Sequence, residues 1–130
     1  MSQDGHRKLK VWQRGMELAE LVHRVTAGFP QEELYGLVSQ MRRSAVSIPS
    51  NIAEGYGRGG NDYARFVSIG YGSLLELETQ IELAHRFGYL DATRNRDLLQ
   101  VCAELGKMLN GLRKSLGRSL PAPRSRTPEP

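Results

Sequence analysis

Residues 42–58, RRSAVSIPSNIAEGYGR, decide the fold that the sequence predicts. Together with the residues before them, they place apolar side chains at intervals of four, three, four, three and four. This spacing puts the apolar side chains along one side of an α-helix, whereas a half-buried strand would alternate at every second residue. The series consists of Leu34, Val38, Met41, Ala45, Ile48 and Ile52. It predicts a helix that packs one side against partner helices.

Pro49 falls inside this helix pattern. Its nitrogen cannot donate to the carbonyl of Ala45, and the local cost in a helix is roughly 3 kcal/mol. Either the helix ends near Ile48 and starts again, or it bends at the proline and continues to about Glu54. Because the apolar spacing continues to Ile52, we favour a helix two that is bent at Pro49.

A glycine cluster follows, at positions 55, 57, 59 and 60. It predicts that helix two stops and that residues 55–61 form a loop. The loop is similar to phosphate-binding loops only superficially, because those follow a strand and often carry a Lys-Ser/Thr pair. Asn61 or Asp62 is the predicted N-cap of helix three.

Three further segments show the same helical spacing of apolar residues. Helix one is predicted over about 11–27, and Gly88 is predicted to end helix three with Tyr89 and Leu90 packed against it. Helix four is predicted from a cap at Asp91 or Thr93 to residue 116. The positions in helix one are Val11, Gly15, Leu18, Val22 and Val25; in helix three Tyr63, Val67, Gly70, Leu74, Leu77, Ile81 and Ala84; and in helix four Leu98, Cys102, Leu105, Leu109, Leu112 and Leu116.

Four amphipathic helices with short connections predict an all-α fold, an antiparallel up-down-up-down four-helix bundle. We assign residues 11–116 to the bundle and residues 1–10 to a basic N-terminal arm. Residues 117–130 are rich in proline and arginine and lack helical spacing, so they predict a disordered tail.

Three stretches carry a resemblance to a known family: residues 42–58, the segment GSLLELETQIELAHRFGYL at 72–90, and VWQ at 11–13. Over residues 9–116 the chain resembles the bacterial four-helix-bundle proteins called 23S rRNA intervening-sequence proteins. The resemblance implies a small cytosolic protein that assembles as a ring of five bundles and has no established activity. Relatives by fold include accessory proteins of diversity-generating retroelements, which bind nucleic acid and a reverse transcriptase.

The net charge of +4 lies in the two ends of the chain. Residues 1–10 and residues 117–130 each carry three basic side chains and one acidic side chain, so residues 11–116 have no net charge. A neutral bundle is unlike the broad basic surface that phosphate binding usually requires. This argues against nucleic-acid binding over the whole bundle but leaves local clusters and the tails open.

Helix three carries more apolar residues than one bundle can bury, and leftover apolar surface usually marks a subunit interface. The acidic residues of this helix and the arginines near helix two are separated along the chain, which favours head-to-tail contacts that can close into a ring. The alternative is that these charges form solvated surfaces with pairs inside the bundle. The predicted interface residues are Phe66, Ile69, Tyr71, Leu75, Glu76, Glu78 and Glu82.

A second set of residues predicts either nucleic-acid binding or an acidic partner across the subunit interface. Arginines with an aromatic neighbour can contact RNA or DNA, and a ring would repeat the patch around its axis. The set consists of Arg42, Arg43, Tyr56, Arg58 and Arg65. We therefore predict a self-assembling scaffold or adaptor, for itself and an unidentified protein partner, with RNA or DNA binding as the alternative.

No spacing of residues indicates an enzyme, a metal site or a cofactor. Glu20 with His23, and Glu82 with His85, have the Glu-x-x-His spacing of carboxylate-bridged metal bundles, but they fall outside the apolar series. Cys102 is the single cysteine and is predicted to be buried. Trp12 is predicted as a core lid, with base stacking as the alternative. No apolar segment suits a membrane or a signal peptide, so we expect a cytoplasmic protein.

Overall fold

A computed structural model describes residues 5–118 of the chain. Residues 1–4 and 119–130, which include most of the predicted tail, lie outside the described residues. The described part contains helices and turns and no β-strand. Its four α-helices are α1 (Lys10–Thr26), α2 (Ser39–Arg58), α3 (Gly60–Arg86) and α4 (Ala92–Arg118), with 3-10 helices at Gly5–Lys8 and Gln31–Glu33 and a π-helical turn at Leu34–Val38.

Each helix packs against the next one along the chain, and α4 packs back against α1. This order of contacts and the short connections confirm the all-α, antiparallel up-down-up-down bundle. The outer surface between α1 and α2 therefore lies on the opposite side of the bundle from the surface between α3 and α4.

The apolar positions of the four helices meet in one core, as the sequence predicts. At two positions a neighbouring residue is buried instead. Leu34 is 39% exposed and Leu37 is buried in its place, because the backbone leaves the helical conformation at Gly36 (φ −110°, ψ −108°) and the helical register shifts there. In α1, Thr26 is buried while Val25 is only partly buried, and the Thr26 hydroxyl donates to the Val22 carbonyl at 2.7 Å.

Helix α2 runs without interruption through Pro49, which confirms the predicted continuation; the bend stays a prediction. Pro49 is buried against α1. A Cβ atom built on Gly15 would lie 3.5 Å from the Pro49 Cβ and Cδ atoms, which is ordinary van der Waals contact. The two helices therefore approach closely at the proline, with room left for a Cβ atom at position 15.

The predicted loop over residues 55–61 is wrong. Helix α2 continues through Gly55 and Gly57 to Arg58, and Gly59 alone separates it from α3. Gly59 has a φ of +71°, a left-handed conformation that glycine adopts without strain. Gly60, with a φ of +55°, has a left-handed conformation as well, so the chain reverses its direction at two consecutive glycines.

Two of these glycines serve other purposes than ending a helix. A Cβ atom on Gly55 would lie 2.7 Å from the Phe66 Cβ atom, so glycine is needed there for the close approach of α2 and α3. Gly60 begins α3, with no side-chain cap, so the predicted N-cap at Asn61 or Asp62 is also wrong.

The turn between α3 and α4 follows the sequence prediction. Gly88, with a φ of +86°, ends α3, and the Tyr89 N–H donates to the Ala84 carbonyl at 2.9 Å. The Asp91 Oδ1 atom accepts from the Arg94 N–H at 2.8 Å, so Asp91 is the capping residue of the two that the sequence offered.

Candidate functional site

The arginines predicted as one patch lie near the two ends of α2. Arg42 and Arg58 are sixteen residues apart on this helix, which corresponds to roughly 24 Å along its axis. Arg43 lies beside Arg42, whereas Arg65 and Tyr56 lie near Arg58. A single nucleic-acid contact cannot use all five residues as one compact patch.

Arg42 is partly buried and contacts the C-terminal turn of α1. Its Nε atom donates to the Thr26 hydroxyl at 3.0 Å and its Nη2 atom donates to the His23 carbonyl at 3.2 Å. Carbonyls in the last turn of a helix lack partners within the helix, so this guanidinium satisfies one of them. Arg43 is exposed and forms no ion pair with another described residue.

Two arginines and a phenylalanine form a cluster where α2 meets α3. The guanidinium carbons of Arg58 and Arg65 lie 5.2 and 5.0 Å from the ring centroid of Phe66. Arg58 also pairs with Glu54 at 2.9 Å and with Asp62 at 3.7 Å, and Arg65 pairs with Asp62 at 3.3 Å. We call these five residues the Phe66 cluster. Its two carboxylates balance its two guanidiniums, so it has aromatic and planar groups but no excess positive charge.

Tyr56 forms an edge-to-face pair with Tyr63, with ring centroids 5.7 Å apart. Burial raises the pKa of the Tyr63 hydroxyl, and the charge that Tyr56 would carry when ionised raises it further. Tyr56 is half-buried. Its ring therefore belongs in part to the packing between α2 and α3, beside the Phe66 cluster.

The predicted interface residues of α3 are divided between internal packing and the surface. Phe66 and Tyr71 are half-buried, and the Tyr71 hydroxyl accepts from the Asn110 Nδ2 atom at 3.2 Å. Ile69 and Leu75, in contrast, are each 46% exposed. Leu83, which lies further along the same helix, is 40% exposed. We call Ile69, Leu75 and Leu83 the α3 ridge.

The three glutamates of α3 have no cationic partner within ion-pair distance among the described residues. Glu76 and Glu82 are exposed and Glu78 is half-buried. Partial burial raises the pKa of Glu78, and the charge of Glu82 raises it further. These carboxylates therefore give the outer part of α3 an uncompensated negative charge.

An apolar groove between α1 and α2 is the surface that our sequence analysis missed. It has a volume of about 520 Å³, and Met16 (39%) and Val46 (55%) are its most exposed apolar residues. Its polar residues are Glu20, His23 and Ser50. We call it the α1–α2 groove, and its apolar residues are Trp12, Met16, Ala19, Val46, Pro49 and Ala53.

Trp12 is half-buried, contacts the core from one end of the helix and lines this groove. Its ring packs edge-on against His6, with centroids 5.0 Å apart. The sequence contained a signal for the groove, because Trp12, Met16 and Ala19 have a helical spacing of their own. That spacing alone cannot distinguish a wide core side from an exposed surface.

Cys102 and Ser47 are held in structural contacts. The Cys102 thiol is buried, and burial, with a smaller effect of the Glu78 charge, raises its pKa to about 12. The Ser47 hydroxyl bonds to the Ser73 hydroxyl at 2.8 Å and accepts from the Asn51 Nδ2 atom at 2.9 Å.

The two Glu-x-x-His pairs do not come together as a metal site. His85 bonds through Nδ1 to the Leu90 carbonyl at 2.8 Å, in the turn after α3, whereas His23 lines the α1–α2 groove. Within residues 5–118 no three His, Cys, Asp or Glu side chains are grouped so that they could hold a metal ion. None of the helices within that range is long and apolar enough to cross a membrane.

Comparison with known families matches residues 7–111 to the family of 23S rRNA-intervening sequence proteins. The chain belongs to this family. The match covers all of α1, α2 and α3 and most of α4, so the resemblance that the three sequence stretches indicated is confirmed. A comparison with curated proteins finds no match for the chain.

Proposed function

We propose that the protein is a non-enzymatic cytoplasmic scaffold or adaptor that assembles with copies of itself into a ring, and that the ring has five members. The number five is what the family resemblance implies. The α3 ridge is the observation that carries the proposal. Its three aliphatic residues remain 40–46% exposed on a helix whose inner side is already packed in the core. Exposed apolar residues spread over the outer side of one helix give a partner an apolar surface to cover.

The unpaired charges support contacts between unlike surfaces. Arg43 lies on α2, whereas Glu76 and Glu82 lie on α3, and none of them pairs within the described part of the chain. A contact between two different surfaces of one chain repeats from copy to copy and closes into a ring where the rotation allows. An adaptor role adds a protein partner that the ring would hold in several copies.

The native mass in solution tests this proposal. Light scattering should give a multiple of the 14.5 kDa chain mass. The double variant Ile69→Ser, Leu83→Ser should have a lower mass with unchanged helical circular dichroism. The control Tyr35→Ser removes the most exposed large apolar residue of the described chain, 93% exposed on the turn before α2, and should keep the wild-type mass. A wild-type chain that stays single at all accessible concentrations contradicts the proposal.

RNA or DNA binding is the second candidate, and the Phe66 cluster favours it. Arginine planes and aromatic rings stack on exposed bases in single-stranded nucleic acid. Two guanidiniums held within about 5 Å of one ring offer such planes at the surface. The pairing of both arginines with carboxylates weighs against it, because phosphate contacts need free positive charge.

Binding of single-stranded RNA and DNA, measured against salt concentration, tests this candidate. The double variant Arg58→Gln, Arg65→Gln should bind several-fold more weakly and have a shallower salt dependence than wild type. The matched control is the double variant Arg86→Gln, Arg96→Gln, which also removes two exposed arginines, one near the other end of α3 and one on α4. Equal weakening by the control would mean that binding follows total charge and not the Phe66 cluster.

A further inference from the structure

The α1–α2 groove is an open apolar surface with nothing in the described chain covering it. Its base is formed where Gly15 of α1 lies against Pro49 of α2, and large apolar residues line both of its edges. Val46 is 55% exposed on one edge and Met16 is 39% exposed on the other. Exposed apolar surface of this kind gains free energy when another apolar surface covers it.

We propose that the α1–α2 groove of one copy receives the α3 ridge of a second copy. The inference rests on the proposed self-assembly and names the two surfaces that would carry it. The groove is concave and lies between two helices, whereas the ridge projects from a single helix. A helix packs against a pair of helices in this way when its side-chain ridges fit the furrow between them.

The two surfaces have similar lengths. Ile69 and Leu83 are fourteen residues apart on α3, which spans roughly 21 Å along the helix axis. Trp12 and His23, at the ends of the groove on α1, are eleven residues apart and span roughly 17 Å. Ile69, Glu76 and Leu83 are spaced by seven residues, so they lie along nearly one line of the helix surface.

Arg43 beside the groove and Glu76 on the ridge are unpaired charges of opposite sign. Arg43 comes three residues before Val46, so it lies on the same exposed side of α2 as the edge of the groove. Glu76 lies between Ile69 and Leu83 on the ridge. Docking would bring this arginine and the ridge carboxylates together at the rim, where opposite charges set the orientation of a contact.

The position of the surfaces in the bundle excludes a contact within one chain. The groove opens on the α1–α2 side, and the ridge faces away from the core on α3, so neither can reach the other in the same copy. Each copy therefore presents one groove and one ridge. Such a contact is head-to-tail and leaves a free groove and a free ridge at the ends until the chain of copies closes.

Directed disulfide formation tests the contact. One full-length chain carries Ser50→Cys in the groove and a second carries Thr79→Cys, which lies between Glu76 and Leu83 and is exposed. With oxidised glutathione as the oxidant, the mixture should give a covalent dimer in at least several-fold higher yield than either chain alone. Cys102 should not compete, because it is buried and its pKa is raised to about 12.

The matched control pairs Ser50→Cys with Gln100→Cys, an exposed position on α4. If this control gives as much dimer as the Thr79→Cys mixture, the assignment of the ridge is overturned. If Ser50→Cys alone gives the highest yield, the contact is symmetric and the head-to-tail assignment is overturned. In both cases a wild-type mass above 14.5 kDa leaves the proposed self-assembly standing, whereas a single-chain mass removes self-assembly itself.

Trp12 provides an independent measurement because it is the only tryptophan of the chain and lines the groove. On dilution of the wild type, its fluorescence emission should shift to longer wavelength as the mass falls. Val46→Glu should have the longer-wavelength emission at every concentration with unchanged helicity, whereas Gln100→Glu should behave as wild type. A falling mass without any change in Trp12 emission would show that copies meet elsewhere.

Discussion

The two sides of α2 are built differently. On the α3 side, Gly55 allows the backbone to approach Phe66, and the Ser47 hydroxyl bonds to that of Ser73 at 2.8 Å. On the α1 side, the contact of Gly15 with Pro49 is close, but apolar residues such as Val46 remain exposed above it. The same helix thus has one side closed by small and polar residues and another left open. Close helix packing and a covered surface are therefore separate properties, and the open side leaves an apolar surface for a partner to cover.

The largest expected effect is a difference in the free energy of unfolding between variants at a buried and at an exposed position of α2. Ile48→Ala should lower the free energy of unfolding by about 2–5 kcal/mol, because Ile48 is fully buried and its loss leaves a cavity. Val46→Ala should change it by less than about 0.5 kcal/mol in the dissociated chain, since Val46 is 55% exposed. Urea unfolding followed by circular dichroism at low concentration measures both. Comparable losses for the two variants would show that Val46 is part of the core and that the groove is closed in solution.

The second prediction compares the same glycine-to-alanine substitution at the two helix contacts of α2, the contact with α3 and the contact with α1. Gly55→Ala should lower the free energy of unfolding by about 1–3 kcal/mol, because its Cβ would lie 2.7 Å from that of Phe66 and the helices would have to separate. Gly15→Ala should raise it by up to about 1 kcal/mol, because its Cβ has ordinary 3.5 Å contacts with Pro49 and alanine is the better helix former.

Thermal and urea unfolding of the two alanine variants give the sign of each change. Gly57→Ala is the control, since a Cβ there meets nothing within 4 Å and its helix propensity alone should stabilise the chain. A stabilising Gly55→Ala would mean that the α2–α3 contact is looser than described, and the contrast between the two sides of α2 would be lost.

Helical spacing was sufficient to predict the fold, because core positions such as Met41, Leu74 and Leu105 recur at three- and four-residue intervals. The errors arose where one residue type has two uses. Gly55 resembles a helix terminator in the sequence, but it serves close packing inside α2. Leu34 continues the apolar series but is exposed. The turn at Leu34–Val38 departs from regular helical geometry, and a prediction from spacing assumes a regular helix, so it cannot detect this departure.

The interaction surfaces were harder to predict, because they depend on which helices become neighbours. Arg42 and Arg58 appear as one group in the sequence, yet a helix of this length separates them by roughly 24 Å. The α1–α2 groove needs residues from two helices brought together at Pro49. In the sequence, its α1 residues are indistinguishable from a wide core side, and only the packed bundle shows them to be exposed.

Adjacent arginines provide the third prediction. Arg42→Met should lower the free energy of unfolding by about 1–2 kcal/mol, because the Thr26 hydroxyl and the His23 carbonyl lose a charged donor. Arg43→Met should have almost no effect on unfolding, since its exposed side chain has no ion-pair partner in the described chain. Urea unfolding at low protein concentration checks this difference. A larger loss for Arg43→Met would place Arg43, and not Arg42, among the residues that hold α1 to α2.

The smallest expected effect concerns the turn at Gln31–Glu33, which leads towards α2. The Tyr89 hydroxyl donates to the Glu33 Oε2 atom at 2.8 Å, which links this turn to the connection between α3 and α4. The hydrogen bond to Glu33 raises the pKa of Tyr89 above its usual value near 10, with smaller contributions from burial and from the Glu33 and Glu32 charges. The protonated hydroxyl is therefore favoured in the folded state.

A raised folded-state pKa fixes the sign of the pH dependence. The stabilisation by Tyr89 should be fully present below about pH 10 and should disappear as the pH rises through the raised value. Urea unfolding from about pH 8 to about pH 11 should show that Tyr89→Phe is less stable than wild type at the lower end and that the gap narrows at the upper end. Tyr35→Phe, which removes an exposed hydroxyl, should leave no such gap. A gap for Tyr89→Phe that stays constant over this range would show that the hydroxyl contributes through packing beside Phe29 and not through its proton, and the turn into α2 would then depend on aromatic contact alone.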